Sequence, residues 1–278
     1  MDTIIPASCE EYIVKGVTHL GYYVEIIMMM MSSSFNASFK MRINSTGISF
    51  YENNSDMMIN IDIDGFDEFY ADADVVGNEY VIESTKKNYN LSNNKKKDSA
   101  SIFIKRSEPE SLLLQIRDSG SVVSTNIVYA LKSYEFDCTQ EVYTAPQLRY
   151  VNPTVIIDTG EMTKTIKVVT KASEGHVVIE SQPKAVRFLS QVSTLKEDGT
   201  AVPNTVTEMV IGEWDNSAYG ECNSINVNKN ALKSVMKFYN LGKKLRIYAK
   251  NSESYSVSLP ISQGLGYGTI VFCPAASA

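Results

Sequence analysis

Two stretches of this sequence, residues 160–172 and 228–241, carry lysines at intervals that match the turns of an α-helix. Spacings of three, four, seven and eight residues bring side chains towards one face of a helix. The lysines concerned are Lys164, Lys167 and Lys171 in the first stretch and Lys229, Lys233 and Lys237 in the second. Residues 164–172 and 228–241 contain no acidic side chain. Such rows predict a surface that contacts a polyanionic backbone without reading bases.

For a single helix, a row of lysines is more simply explained as a solvated charged face. Here two rows occupy equivalent places in an internal repeat, within a chain whose net charge is −6. An acidic chain can still bind nucleic acid if its basic groups are confined to one surface. The two rows together therefore favour binding of a nucleic-acid backbone.

The apolar residues of the same stretches fall on the opposite helix faces. They are Met162, Ile166 and Val169 in the first stretch and Leu232, Val235 and Tyr239 in the second. An apolar stripe of this kind packs against the rest of a protein. We therefore expect both helices to lie on a sheet with their lysines outward.

Residue types that carry catalysis are sparse. The two histidines, His19 and His176, fall within strand patterns, where a lone histidine is more often a packing or edge residue. The Asp-x-Asp sequences at 62–64 and 72–74 fit a solvated face better than a metal site. The sequence has no Gly-rich phosphate loop, Cys-x-x-Cys pair, His-Glu-x-x-His or nucleophile elbow. It therefore predicts a protein that is not an enzyme and needs no cofactor or metal.

The composition is that of an ordinary globular chain, 44% hydrophobic and 21% charged over 278 residues, which is enough for two domains. The longest apolar run, 26–31, is much shorter than the ~18 residues that indicate a membrane span. The four cysteines are far apart, and the first residues do not resemble a signal peptide. We expect an intracellular protein that is neither secreted nor membrane-bound.

Hydrophobic periodicity predicts the same succession of elements in each half of the chain, and so an α+β fold. In the first half the predicted elements are strand 14–20, helix 22–34, strands 38–43, 48–51 and 57–63, a weak helix 84–94, and strands 101–105, 112–116 and 126–132. In the second half they are strand 154–158, helix 160–172, strands 176–181 and 185–189, a polar loop 193–204, strand 205–211, helix 228–241, and strands 244–249 and 255–259.

The segment between the halves has two prolines and little periodicity, which is typical of an extended connector. The predicted organisation is an N-terminal extension at 1–13, a first domain at 14–136, the connector at 137–153 and a second domain at 154–278.

Four segments resemble the DNA sliding clamp family of proliferating cell nuclear antigen, which occurs in eukaryotes, archaea and some large DNA viruses. They are NSTGISF at 44–50, GFDEFY at 65–70, NKNALKSVMKFYN at 228–240 and LGYGTIVFCP at 265–274. The likeness extends from about residue 14 to 274, and it rests on the ordered set of segments. The sequence departs from the family in having no basic residue in helix 22–34 and Ala-Ala-Ser-Ala at its end.

The resemblance implies two similar domains of antiparallel sheets with inner helices, the DNA clamp fold, and three chains that close into a ring around double-stranded DNA. It implies sequence-independent DNA binding and the tethering of DNA polymerase and other partners through short peptide motifs. It also implies loading by an ATP-dependent clamp loader. Replication proteins of this kind act in the nucleus or at a cytoplasmic replication site, the viral factory if the protein is viral.

The resemblance also implies three sets of site residues. Lys86 and Lys87 of the weak helix would give the first domain's part of the DNA surface. The subunit interface would join residues 126–132 of one chain to 205–211 of the next, with Asn126, Val128 and Ala130 opposite Thr205, Thr207, Met209 and Ile211. The pocket for partner peptides would be lined by Met57, Met58, Leu148, Tyr150, Val271, Phe272 and Pro274.

Two other readings stay open. One is a monomeric or dimeric processivity factor of viral type, which holds DNA by charge without closing around it. The other is a β-rich protein-interaction module that does not act on DNA. An enzyme ranks below both because catalytic motifs are missing.

Overall fold

The structure, a computed structural model, describes residues 11–34, 38–51, 57–83, 97–118, 124–134, 152–195, 201–217, 222–249 and 255–272. The chain forms two units. Unit 1 contains 1–142 and the returning segment 261–267, and unit 2 contains 143–260 and 268–278. The protein is strand-rich, with large antiparallel sheets and few helices, in agreement with the predicted α+β class.

The described residues of unit 1 form an antiparallel sheet of nine strands. The strands are β1 (Tyr12–Thr18), β2 (Ser38–Asn44), β3 (Gly47–Tyr51), β4 (Met57–Asp62), β5 (Glu68–Ala71), β6 (Glu79–Glu83), β7 (Lys97–Lys105), β8 (Glu108–Asp118) and β9 (Ser124–Tyr134). Their order across the sheet is β4-β3-β2-β6-β9-β8-β7-β1-β5.

The β2–β3 hairpin follows directly from its sequence. Phe39, Met41 and Ile43 alternate with polar residues and are at most 1% exposed, as a strand with one buried face requires. Gly47 adopts a φ of 133°, and a Cβ at this position would lie 2.0 Å from the carbonyl oxygen of Ile61. The turn therefore depends on glycine.

Helix α1 (Gly21–Ser34) packs chiefly on β7. Its apolar side chains do not form a narrow stripe, and Val24, Ile27, Met28 and Met31 are at most 1% exposed. A helix that is apolar on most sides belongs in the interior of a protein. Accordingly, α1 contributes to the core of unit 1.

In unit 2, the strands that the structure describes form two four-stranded sheets. The strands are β10 (Val155–Asp158), β11 (His176–Gln182), β12 (Ala185–Leu195), β13 (Ala201–Gly212), β14 (Asn223–Asn228), β15 (Lys244–Tyr248), β16 (Tyr255–Pro260) and β17 (Gly266–Phe272), the first two residues of β17 being counted with unit 1. One sheet has the order β13-β12-β11-β14 and the other β10-β15-β16-β17. Helix α2 (Thr159–Ala172) packs on β12 and β13, and α3 (Lys229–Ser234) continues into a 3₁₀ helix at Val235–Asn240.

The two units repeat one strand order. The order β13-β12-β11-β14 in unit 2 corresponds to β4-β3-β2-β6 in unit 1, and β10-β15-β16-β17 corresponds to β1-β7-β8-β9. In each unit the first strand leads into a long helix, α1 or α2. The internal repeat predicted from periodicity is therefore present in the pairing of the strands.

Some predicted elements differ from the structure. The predicted polar loop 193–204 was wrong, because β12 continues to Leu195 and β13 begins at Ala201. The two strands pair from Val192 opposite Asn204 to Leu195 opposite Ala201, so a backbone ladder takes the place of much of the expected loop. The strands β5, β6 and β14 were not predicted, since each has only four to six residues, too few to establish an alternating pattern. The predicted helix 84–94 lies outside the described residues.

Candidate nucleic-acid interface

Helix α2 presents the lysine face, defined here as Lys164, Lys167 and Lys171. The helix begins where a side-chain oxygen of Asp158 accepts a hydrogen bond from the backbone N–H of Gly160 at 2.8 Å. Its predicted stripe of Met162, Ile166 and Val169 is at most 1% exposed. With that stripe buried, all three lysines are exposed on the other side of the helix.

The charge of the lysine face is not neutralised by neighbouring carboxylates in the described part of the chain. Many cations on the strands have an acidic partner, for example Lys15 with Glu68 at 2.6 Å and Lys132 with Glu83 at 2.6 Å. No such pair involves the lysine face. A positive surface in a chain of net charge −6 attracts an anionic polymer and leaves the rest of the protein repulsive to it.

The second predicted row does not form as expected. The sequence predicted one helix at 228–241, but an α-helix has 3.6 residues per turn and the 3₁₀ helix that begins at Val235 has three. The tighter winding brings Phe238 into the core, fully buried, and leaves Tyr239 55% exposed. Tyr239 is therefore not part of the buried stripe, and Lys237 is rotated away from the line through Lys229 and Lys233.

Lys229 holds the end of α2. Its ammonium group donates hydrogen bonds to the backbone carbonyls of Ser173 at 3.0 Å and Glu174 at 2.8 Å. A cation at the C-terminal end of a helix is stabilised by the helix dipole. Lys229 therefore has a structural position, whereas Lys233 is half-buried on α3.

Unit 1 has no equivalent lysine face on α1. The charged residue of this helix is Glu25, which is buried beside Lys97, with 3.8 Å between carboxylate and ammonium. Burial raises the pKa of the Glu25 carboxyl, and the positive charge of Lys97 acts against that shift. Lys86 and Lys87, the predicted basic residues of this unit, lie outside the described residues.

The residues predicted for the subunit interface lie on two strands that differ in their pairing. Among the described residues, β9 pairs with β8 along 124–130 and with β6 along 130–134. Its residues Asn126, Val128 and Ala130 are exposed, Val128 by 54%. β13 is the outermost of the described strands of its sheet. Both strands thus present surface to solvent.

A β-bulge changes the predicted pattern on β13. Thr207 is opposite Ser190, but Thr205 is opposite Gln191, the next residue of β12. Because neighbouring residues of a strand point to opposite faces, the bulge separates Thr205 from Thr207. Thr207, Met209 and Ile211 are half-buried and Thr205 is exposed.

The residues predicted for the peptide pocket are mostly buried or lie outside the described residues. Met57 is fully buried, Met58 is 8% exposed and Phe272 is 2% exposed, while Val271 is half-buried. The other three, Leu148, Tyr150 and Pro274, lie outside the described residues.

No protein-family model matches this chain, and no curated protein matches it. Within the described residues, no group of three or more His, Cys, Asp or Glu side chains is arranged to hold a metal ion. The described helices include none that is long and apolar enough to cross a membrane.

A cavity of about 430 Å³ in unit 2 was not predicted. It is lined by Asn152, Pro153, Thr154, Ser181, Gln182, Pro183, Asn223 and Ala249. The Ser181 hydroxyl donates to the carbonyl of Ala249 at 2.6 Å, and the hydroxyl of the buried Tyr255 donates to that of Asn223 at 2.5 Å. Burial raises the pKa of Tyr255 to about 12, so this phenol stays protonated at neutral pH. Both hydroxyl groups therefore use their protons in hydrogen bonds to backbone carbonyls.

A second unpredicted cluster surrounds Arg187 on β12. Its guanidinium donates to Glu180 at 2.8 Å and to Glu208 at 3.3 Å, and it stacks 4.1 Å from the ring centre of Trp214. Both carboxylates come from neighbouring strands. The cluster neutralises Arg187, which therefore adds little to the positive surface of unit 2.

Proposed function

We propose that this protein is a DNA sliding clamp, which encircles duplex DNA as a homotrimer and tethers replication and repair proteins to it. The observation that carries the proposal is the lysine face. Lys164, Lys167 and Lys171 are exposed and lack acidic partners within the described chain, while many strand cations are paired. A ring with such a lining holds DNA topologically, so each contact can be weak and the protein can slide.

The repeated strand order supports this proposal. Each chain has two units with the same pairing pattern. A closed assembly of such chains therefore contains twice as many similar units as chains. Closure needs two different, complementary surfaces on each chain, because a heterologous contact generates a ring when the rotation closes. The exposed residues of β9 and the outermost strand β13 are candidates for those surfaces.

Contact of the exposed side chains of β9 with β13 of the next chain would cover backbone groups that β13, the outermost of the described strands in its sheet, otherwise exposes. Val128 on β9 and Val210 on β13, exposed by 54% and 42%, would contribute apolar surface at or near the contact. The expected partners of the assembled ring are duplex DNA, a DNA polymerase, other proteins with short clamp-binding peptides, and an ATP-dependent clamp loader.

Solution mass tests the assembly. The chain has a mass of 30.9 kDa, so light scattering should give three times this value at micromolar concentration. Val128→Asp should dissociate the trimer, because a charge replaces an apolar side chain in the contact. The matched control is Ile63→Asp, at a residue that is 42% exposed in unit 1 and lies outside the proposed contact.

The alternatives give other results. A stable monomer or dimer would favour the processivity factor that does not close. A protein of any mass that fails to bind duplex DNA at low salt would favour the interaction module.

A further inference from the structure

Tyr239 lies at a basic corner of unit 2. Its ring is 55% exposed at the end of the 3₁₀ helix, and the chain continues to Lys243 and Lys244, both exposed. Among the exposed large hydrophobic residues of the described chain, Tyr239 is the one with an aromatic ring. The ring is not needed for the core, because Phe238 fills that place and is fully buried.

The start of α2 completes this corner. A Cβ placed on Gly160 would lie 3.8 Å from the Tyr239 ring, so the ring stands beside the first turn of α2. Lys164 follows one turn later on the same helix and is exposed. The backbone N–H of Thr159 donates to the carbonyl of Lys243 at 2.9 Å, which fixes the lysine pair next to this turn. We define the Tyr239 corner as Tyr239, Lys164, Lys243 and Lys244.

The charges at the corner are not balanced by ion pairs. In the described residues, none of its three lysines is within salt-bridge distance of a carboxylate. Asp158, opposite Lys244 in the β10–β15 pairing, uses a carboxylate oxygen to cap α2. The exposed Glu161 is a carboxylate on the first turn of this helix. The three lysines of the corner therefore face two carboxylates, and the one on Glu161 can be removed by mutation without loss of the α2 cap.

We propose that the Tyr239 corner binds single-stranded DNA, with the Tyr239 ring stacking on an unpaired base and the lysines contacting the phosphates on either side. An exposed aromatic ring among cations is the arrangement by which proteins bind single strands without sequence preference. Duplex bases already stack on one another, so the ring gains this contact only where the strand is unpaired. The inference deepens the proposed function, on which it rests for the choice of DNA as the anion, and it would give a clamp a contact at a primer–template junction.

The test uses the full chain and a fluorescent 15-nucleotide oligo(dT), with a 15-base-pair duplex as comparison. Stacking on one base contributes about 1–3 kcal/mol, so Tyr239→Ala should weaken oligo(dT) binding roughly fivefold to a hundredfold. Duplex affinity should change less than twofold. Tyr239→Phe should bind both like the wild type, because the ring is kept and only the hydroxyl is lost.

Matched variants separate stacking from charge. Lys243→Ala and Lys244→Ala should each flatten the slope of log affinity against log salt for oligo(dT) by about 0.7. Glu161→Gln should strengthen oligo(dT) binding by removing one opposing carboxylate. Ile63→Ala, a change at an exposed apolar residue of unit 1, should have no effect. Thermal unfolding of each variant checks that its fold is kept.

Three results would overturn the inference. In the first, Tyr239→Ala binds oligo(dT) like the wild type. In the second, Tyr239→Phe loses as much affinity as Tyr239→Ala, which would assign the effect to a hydroxyl contact. In the third, Tyr239→Ala weakens single strand and duplex equally or changes the solution mass, which would make the ring a support of α2 or a protein contact. If the protein does not encircle DNA but binds oligo(dT) through Tyr239, the proposed function fails and this inference stands.

Discussion

Lys229 and Ser173 are joined by a hydrogen bond of 3.0 Å from the lysine ammonium to the serine carbonyl. The two residues are 56 positions apart in the sequence, and the bond links the start of α3 to the end of α2. A second bond from the same ammonium, to the carbonyl of Glu174, closes the end of α2. These two hydrogen bonds distinguish Lys229 from the three lysines of the lysine face, although the sequence places all of them in rows with helical spacing.

We expect Lys229→Met to act on stability more than on DNA binding. The substitution removes a charged donor from two carbonyls, which should lower the free energy of unfolding by about 1–2 kcal/mol, since part of the site is solvated. DNA affinity should fall less than for Lys164→Met, an exposed lysine on α2. Urea unfolding and fluorescence anisotropy with duplex DNA measure the two effects. The opposite ranking would assign Lys229 to the DNA surface.

The lysine face should control the salt dependence of duplex binding. Each phosphate contact contributes about 0.9 to the slope of log affinity against log salt. Changing Lys164, Lys167 and Lys171 to Glu should therefore flatten the slope by up to three such contributions and leave the unfolding midpoint nearly unchanged. Lys105→Glu, at a lysine paired with Glu11 at 3.4 Å, is the control. An effect per substitution as large in the control as in the lysine face would show that net charge alone is responsible.

Lys97 belongs to a buried cluster of charges in unit 1, and its replacement should lower the stability of the protein. Lys97 is 5% exposed and lies 2.5 Å from Asp118 and 3.8 Å from Glu25. Lys97→Met leaves the two carboxylates without their cation. Because Asp118 is 40% exposed, we expect a loss in the free energy of unfolding of about 3 kcal/mol, the lower end of the range for breaking a buried ion pair. Adding Glu25→Gln should restore part of the loss. The exposed pair of Lys105 gives less than about 1 kcal/mol in the same measurement.

The cluster also predicts a pH dependence. Burial raises the pKa of Glu25 above its usual 4.5, so the folded state holds this proton more tightly than the unfolded state. Protonated Glu25 contributes its full stabilisation when the pH is below the pKa of this group in the unfolded chain. That stabilisation is lost as the pH rises towards the pKa of Glu25 in the folded state. Glu25→Gln should remove this part of the stability–pH curve. An unchanged curve would mean that Glu25 ionises as in the unfolded chain.

Tyr255 should contribute a loss of stability at high pH. Its pKa is raised to about 12 by burial, against 10 in the unfolded chain. The unfolded state therefore loses its proton first, and stability falls between pH 10 and 12 by at most about 1.4 kcal/mol per pH unit. Tyr255→Phe should remove this slope but cost about 1–2 kcal/mol at pH 7, because the carbonyl of Asn223 loses its donor. Identical slopes for both proteins would contradict the assignment.

The features predictable from the sequence were those with a regular period. The alternation of Phe39, Met41 and Ile43 and the helical spacing of Met162, Ile166 and Val169 both appear as buried faces. The predicted repeat agrees with the shared strand order of the two units, although the order itself was not predicted. These patterns work because burial of one face sets the period of a strand or helix.

Features that depend on changes of period or on long-range contacts could not be predicted. Because of the 3₁₀ winding after Ser234, Phe238 is buried and Tyr239 is exposed, the opposite of what an α-helix predicts. The local residue types do not indicate this change of winding. The bulge on β13 separated Thr205 from Thr207 in the same way. The Lys229–Ser173 hydrogen bond joins residues far apart in the chain, so the spacing of lysines along the sequence could not predict it.

Topological retention on DNA tests the central claim most directly. Dilute protein is mixed with nicked circular duplex, concentrated so that rings can close, and passed through gel filtration at a salt concentration that removes simple electrostatic binding. We predict that the protein elutes with the circle and is released when a single restriction cut makes the DNA linear. Equal retention on circular and linear DNA, or release from the circle before it is cut, would contradict a ring that encloses the duplex.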